Sequence, residues 1–390
     1  MWRYISLALV SIVVVVFGFS LVEVGAGTGV GAGAAVQSAD VNLEDYPRAV
    51  DPNYDWNFPE DHGPHNDFLT EWWYYTGNVA TADGRRFGFQ FTIFRRAILP
   101  EDQVQDSEWR TRQMYLGHVT ISDIAADEFY QEERYSRGAA GLAGATADPR
   151  YRVWLEDWEV VALNDDATEV HMVATAGNAS MDIVLTQAKP IVFQGEQGNG
   201  LSFKGGEEGN ASYYYSIPRL ETEGTFTIGD ETFEVTGNTW MDREFSTSAL
   251  AEGAVGWDWF GLIFDDNTEL MLYHIRLEDG STEPASAGLY IDADGNYTYL
   301  HSEDYTMTPL DTWTSPVSGG EYPSGWEITI DGEVIGLEDS LDFRAIPLME
   351  EQELITDPNY WEGAVRLEGD KTGYGYNEMT GYTDRLDDRL

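Results

Sequence analysis

The chain has 390 residues, enough for two domains, and carries 69 acidic against 22 basic side chains for a formal net charge of -47. That excess excludes nucleic acid and anionic membrane surfaces as binding partners. The lack of cysteine excludes disulfides, thiol catalysis and cysteine-ligated metals.

The acids are spread along the whole chain, as on a surface that stays hydrated in concentrated salt, where screening shortens to about 3 Å at 1 M. An acidic patch for a cationic partner is the alternative reading. Residues 1–40 form the first recognisable segment. A short positive start at Arg3 precedes an apolar run from Ile5 to Val24 and a small-residue stretch to Ala39. This is the pattern of a cleaved signal peptide, or of a retained single membrane anchor, and it predicts a protein working outside the cytoplasmic membrane.

Beyond a polar lead, strand signals dominate. Glu71 to Ala80 and Arg86 to Arg95 flank Asp83-Gly84, a strong hairpin signal. A two-residue turn there sets Glu71 opposite Arg96 and Trp73 opposite Phe94, with Tyr75 on the same face and Trp72 on the other. Met114 to Asp123 is a strand carrying His118. Residues 131–149 read as loop. Tyr151 to Leu163, His171 to Thr175 and Met181 to Gln187 form a meander, and the glycine-rich segment 195–210 reads as an exposed loop. Strands resume at Tyr213, Gly224 and Thr232.

The second half repeats the style. Trp257 to Phe264 and Glu269 to Leu277 flank a turn at Asp266-Asn267, which sets Asp258, Phe260 and Leu262 on one face with Ile275, Tyr273 and Met271. Trp257, Trp259 and His274 then occupy the opposite face. Further strands are expected at 288–291, 297–300, 326–330, 340–345, 361–367 and 373–380, with one short helix near Leu348 to Leu354. Thirteen per cent aromatic residues and abundant turn-forming glycine fit this density of short strands. The fold class is all-β, two barrels or sandwiches with a seam near 245–252: residues 41–247 form the first domain and 248–390 the second.

Three residues stand out as candidate chemistry, each with a structural alternative. Glu71 is a carboxylate in an aromatic pocket, or a rim partner of Arg96. Asp242, between Trp240 and Arg243, is a buried general acid, or a salt-bridge partner of Arg243. His118 is a catalytic or ligand-contacting histidine, or a hydrogen-bonded core residue. Asp292, Asp294, Asn296 and Glu303 only mimic a calcium loop, because Tyr297 stands where that loop needs glycine. No zinc motif, nucleophile elbow or phosphate-binding loop is present, so no metal or cofactor is expected.

The segments Thr70-Glu-Trp-Trp-Tyr-Tyr-Thr-Gly77, Gly117-His-Val-Thr-Ile-Ser-Asp123, Trp240-Met-Asp-Arg-Glu-Phe-Ser246, Gly256-Trp-Asp-Trp-Phe260, Tyr360-Trp-Glu-Gly-Ala364 and Gly375-Tyr-Asn-Glu-Met-Thr-Gly-Tyr382 resemble the AttH and carotenoid 1,2-hydratase family. The resemblance implies two consecutive lipocalin-like barrels and a pocket for a hydrophobic, isoprenoid or lipid-like molecule. Hydratase members protonate an alkene with a carboxylic acid and stabilise the cation on aromatic faces. Carried over, this makes Asp242 the acid, with Glu71 and His118 in support. Trp72, Trp73, Tyr75, Trp240, Trp257, Asp258, Trp259, Tyr273 and His274 become the ligand-binding set. Arg243 and Phe245 stand where hydratases have His and Trp, and Ile275 where they have an acid, which places the chain nearer the AttH branch. A non-catalytic carrier or envelope protein is the second expectation.

Overall fold

The computed structural model describes residues 42–99, 111–247, 250–251 and 253–383. The leader segment read at residues 1–40 lies outside them. Among the described residues no helix is long and apolar enough to cross a membrane.

Two curled antiparallel sheets make the molecule, one of 13 strands and one of 10. In each, the first strand in the chain pairs with the last. In the first sheet Thr70–Ala80 pairs with Glu231–Ser246, and in the second Ala254–Phe264 pairs with Gly373–Met379. The long hairpin Ala211–Ile228 and Glu231–Ser246 joins the two halves of the first sheet, pairing with Thr70–Ala80 on one side and Ala179–Gln187 on the other. This is the all-β, two-barrel architecture expected from the sequence.

Strand alternation sends successive side chains to opposite faces. Along Thr70–Ala80, Trp73, Tyr75 and Val79 enter a core with Phe89, Phe91 and Trp158, which fills the first barrel. Phe260, Leu262, Leu272, Trp326 and Phe343 fill the second. A third cluster, including Tyr74, Tyr214, Trp240, Trp259, Met271, Tyr273 and Tyr376, is contributed by both sheets and forms the seam between barrels. Polar links pin this seam: the Asn78 amide donates to the Gly375 carbonyl at 2.9 Å, and Glu269 receives Arg219 at 2.6 Å and Lys189 at 3.3 Å.

Several local expectations are corrected. Both diagnostic hairpins are shifted by one residue, so Glu71 faces Arg95 instead of Arg96, and Asp258 faces His274 instead of Ile275. The loops cause the shift. Thr81 and Arg85 close the first turn around Gly84 at φ +94°, and Phe264 and Thr268 close the second around Asn267 at φ +66°. Both loops are longer than the two-residue turn assumed, and a one-residue slip exchanges the faces of a strand.

The stretch 131–149 is not all loop, since Glu128–Arg137 and Ala143–Thr146 are strands. Segment 195–210 is only partly exposed: it contains strand Leu201–Phe203 and buries Lys204. No helix forms at 348–354. Glu353–Leu354 is a short strand there, and the Ser122 hydroxyl donates to the Gln352 side-chain oxygen across the seam at 2.8 Å.

Candidate functional site

The seam face of the first sheet carries a row of polar side chains in lateral register. His118 pairs with Thr92, Thr92 with Tyr74, Tyr74 with Asp242, and Asp242 with Ser216. A lone polar residue in a strand is unremarkable, but five in a row on a buried face must satisfy one another or a ligand.

Asp242 is 3% exposed. Its Oδ1 accepts from the Ser216 hydroxyl at 2.5 Å and the Trp240 indole at 2.7 Å, while Oδ2 accepts from the Tyr214 hydroxyl at 2.6 Å. Gln194 donates to Ser216 at 2.9 Å and fixes that hydroxyl. Burial pushes the Asp242 carboxyl up to about 7, against the pull of these donors and with further upward pressure from Glu244. The acid is thus balanced between its two forms near neutrality.

Other ionisable groups surround it. Glu244 is pushed up by burial, opposed by Lys204, whose Nζ lies 3.8 Å from Glu244 Oε1. That ammonium sits between the rings of Tyr214 and Tyr273, at 4.8 and 4.3 Å from their centroids. The second sheet supplies Glu362 and Glu378, cross-strand neighbours. Glu378 is only partly buried and rises to about 8, through burial first and then through Asp242 and Glu244, with the Trp257 indole pulling it down. Glu362 is fully buried, accepts the Tyr74 hydroxyl at 2.9 Å and is raised by burial and by Glu378. Near neutral pH this cluster therefore holds protons that exposed carboxyls would have lost. Buried Glu244 Oε1 and Glu362 Oε1 lack a hydrogen-bond partner.

His118 shares the seam face but stands three strands from Asp242, about 14 Å at ordinary strand spacing. Its Nδ1 is 2.5 Å from the Tyr360 hydroxyl and its Nε2 3.1 Å from Glu133 Oε1.

Glu71 lies on the other side of the sheet from Asp242. Its Oε1 accepts from Arg95 Nε at 2.6 Å, its Oε2 accepts from Arg243, and the His65 backbone N–H donates to Oε2 at 2.9 Å. Burial pushes its carboxyl up, but Arg95, Arg243 and His65 outweigh that and hold it well below the usual range. Arg243 is thereby committed to Glu71, and the expected Asp242–Arg243 bridge does not form.

The aromatic candidates divide in the same way. Trp72, Trp240, Trp257, Trp259 and Tyr273 belong to the seam cluster, whereas Trp73 and Tyr75 are packed inside the first barrel. Asp258 and His274 face the core side of the second sheet, so Asp258 is not near Tyr273 as expected. It pairs with Arg276 at 3.1 Å and accepts the Tyr382 hydroxyl at 2.9 Å. His274 stacks on Tyr305 at 5.0 Å, and burial pushes its imidazole down to about 4.

Tyr74, Lys204, Tyr214, Ser216, Glu244, Glu362 and Glu378 escaped the sequence reading. The one usable signal was an acid inside an otherwise apolar strand, in Tyr360-Trp-Glu-Gly-Ala364 and Gly375-Tyr-Asn-Glu-Met379. Among the described residues no group of three or more His, Asp and Glu side chains is arranged to hold a metal ion.

The architecture recurs in solved structures. A protein described as an AttH from Nitrosomonas europaea is 33% identical, with a TM-score of 0.74 over 85% of this chain and 99% of that one. Kievitone hydratase from Nectria haematococca is 16% identical, with a TM-score of 0.63 over 87% of this chain and 97% of that one. CghA is 9% identical, with a TM-score of 0.50 over 87% and 95%. The last two establish a shared fold alone. No curated protein matches the sequence. The AttH-like family model matches residues 49–382, nearly all of the two barrels, and the chain belongs to the AttH-like family.

Proposed function

We propose that the seam is an acid–base site that adds water to a carbon–carbon double bond of an apolar, isoprenoid or lipid-like molecule, with Asp242 as proton donor. The carrying observation is a carboxyl poised near pH 7, buried beside the indole and phenol rings of Trp240 and Tyr214. The Asp242 proton and the alkene π pair form a new C–H bond, leaving a cation on the neighbouring carbon. The faces of Trp240, Trp259 and Tyr214 stabilise that cation, an interaction worth about 2 kcal/mol or more where water is excluded. Water adds to it and its released proton returns to the Asp242 carboxylate, so the cycle consumes only alkene and water. Glu378, partly exposed on the second sheet, is placed to relay that proton.

The shared fold with kievitone hydratase supports hydration as the reaction class. The apolar segment 5–24 supports export. The test is Asp242→Asn, assayed for alkene hydration against a panel of isoprenoids in ¹⁸O-labelled water. The Asn oxygen can still accept from Ser216 and Trp240 and its NH2 can donate to the Tyr214 oxygen, so the fold should persist while turnover falls about 10²- to 10⁴-fold. Unchanged turnover would overturn the assignment. Binding of the same isoprenoids by wild type with no label incorporation would instead establish the carrier reading.

A further inference from the structure

At the other end of the seam from the partly exposed Glu378, a cleft of about 350 Å³ opens between the sheets. Its volume lies within the range of small-molecule sites, about 300–1,000 Å³. Trp240 and Gly261 contribute to its wall. A Cβ on Gly261 would meet the Trp259 ring at 2.6 Å and Trp240 at 3.2 Å, so the packing here is tight. The Trp240 indole N–H is turned to Asp242. The cleft and the acid site thus lie on either side of one indole and are separate.

The cleft is polar where the seam around it is aromatic. Thr76 and Asn78 line it, 2% and 8% exposed, and Thr76 Oγ1 and Asn78 Oδ1 have no hydrogen-bond partner. The Asn78 amide cannot turn to hide its oxygen, because its nitrogen is spent on the Gly375 carbonyl. Leaving such buried atoms unmet costs about 1–3 kcal/mol each. Arg86 also lines the cleft, its guanidinium 3.5 Å from the Tyr374 ring centroid, and it makes no ion pair with any described residue. In a chain of net charge -47 an uncommitted arginine stands out. The other cation of the cleft, Arg219, is bound to Glu269 and the Phe264 carbonyl. Asp265 supplies a carboxylate on the lining; its Oδ2 accepts from the Thr372 hydroxyl at 2.7 Å, which leaves Oδ1 for a ligand hydroxyl.

We infer that this cleft is a binding site for a small polyhydroxylated carboxylate of sugar-acid size. Its carboxylate pairs with Arg86, its hydroxyls donate to Asn78 Oδ1 and Asp265 and meet Thr76 Oγ1, and a ring face lies along Tyr374 and Trp240. A simple anion leaves Asn78 unmet, and a neutral sugar leaves Arg86 unmet.

The experiment titrates glucuronate and, separately, glucose into the full chain at fixed ionic strength. Tryptophan emission and calorimetry are followed, with Trp240 as the internal reporter. Glucuronate should bind saturably in the millimolar range, and glucose about tenfold or more weaker, the loss of one charge-assisted contact. Arg86→Gln should abolish that preference, with circular dichroism checking the fold. Thr76→Val, nearly isosteric, should weaken both ligands while leaving the preference intact. No saturable response at tens of millimolar, equal binding of both ligands by wild type, or an undiminished preference in folded Arg86→Gln would each overturn the inference.

Discussion

Asp242 and Arg243 are consecutive in the chain yet never interact through their side chains, because the strand sends one into the seam and the other into the first barrel. Arg243 bonds to Glu71 and the Gly63 carbonyl. Asp242 bonds to Ser216, Tyr214 and Trp240. One strand thus separates a buried ion-paired network from an acid with no cation bound to it, and the two are expected to respond differently to mutation.

On the barrel side, Glu71→Gln strands two guanidinium groups, Arg95 and Arg243, that are fully buried. Removing one partner of a buried ionic network costs about 3–5 kcal/mol. Urea unfolding should register that loss for Glu71→Gln and a similar one for Arg95→Gln. Arg96→Gln, whose side chain is not part of the Glu71 cluster, should cost much less. Equal effects at Arg95 and Arg96 would contradict the observed register.

The seam acids set a pH dependence. Asp242 and Glu378 are raised to about 7 and about 8 in the folded protein, above the ordinary carboxyl values they have when unfolded. The folded state therefore holds more protons than the unfolded state from about pH 4 to 8. Their contribution to stability is complete below that window and is lost as pH rises through it. Urea midpoints should decline from pH 5 to pH 9. Asp242→Asn should make the decline shallower from about pH 4 to 7, and Glu378→Gln should make it level off near pH 7 instead of near pH 8. Under the proposed mechanism turnover also falls above pH 7, as the donor loses its proton.

Ion pairing across the seam gives a third expectation. Glu269 on the second sheet is held by Arg219 and Lys189 from the first. Glu269→Gln leaves both cations without their carboxylate. Hydrogen exchange should accelerate at Glu269–Leu277 and Ala211–Ile228, the strands that carry Glu269 and Arg219, while the barrel cores remain protected. Uniform acceleration would mean that the barrels do not open separately.

Net charge supplies a fourth. With 69 acids against 22 bases, self-repulsion should destabilise the fold in dilute buffer and be screened in concentrated salt. Raising KCl from about 0.1 to 2 M should lift the thermal midpoint steadily, with most of the gain below about 1 M, where the Debye length has shrunk to about 3 Å. A flat response would argue for a dedicated acidic patch instead of adaptation to salt.

The fold class was legible because alternation and Asp-Gly or Asn-type turns recur through the chain, and both are local signals. Pairing register was not, since it depends on how many residues each loop takes up. Gly84 and Asn267 enlarge their loops and shift Glu71 and Asp258 by one partner. Asp242 stood out by its neighbours Trp240 and Arg243. Glu362 and Glu378 did not, because an acid within a strand ordinarily marks a solvent-facing side. Only the docking of one barrel on another turns that side inward. The Leu348 to Leu354 stretch failed as a helix for a similar reason. Met349 and Leu354 are buried by tertiary packing around Gln352, with no helical face involved.

The mutual covering of the two barrels also shapes how the chain must be made. The strand Gly373–Met379, which pairs with Ala254–Phe264 and brings Glu378 to the seam, is made after every strand of the first barrel. Until then Trp72, Tyr74, Trp240 and Tyr214 lie on an uncovered, adhesive surface of a first barrel that is already complete. Synthesis thus passes through a half-molecule prone to self-association. Loss of Tyr360–Gly369 and Gly373–Met379 would leave a first barrel whose seam face is uncovered.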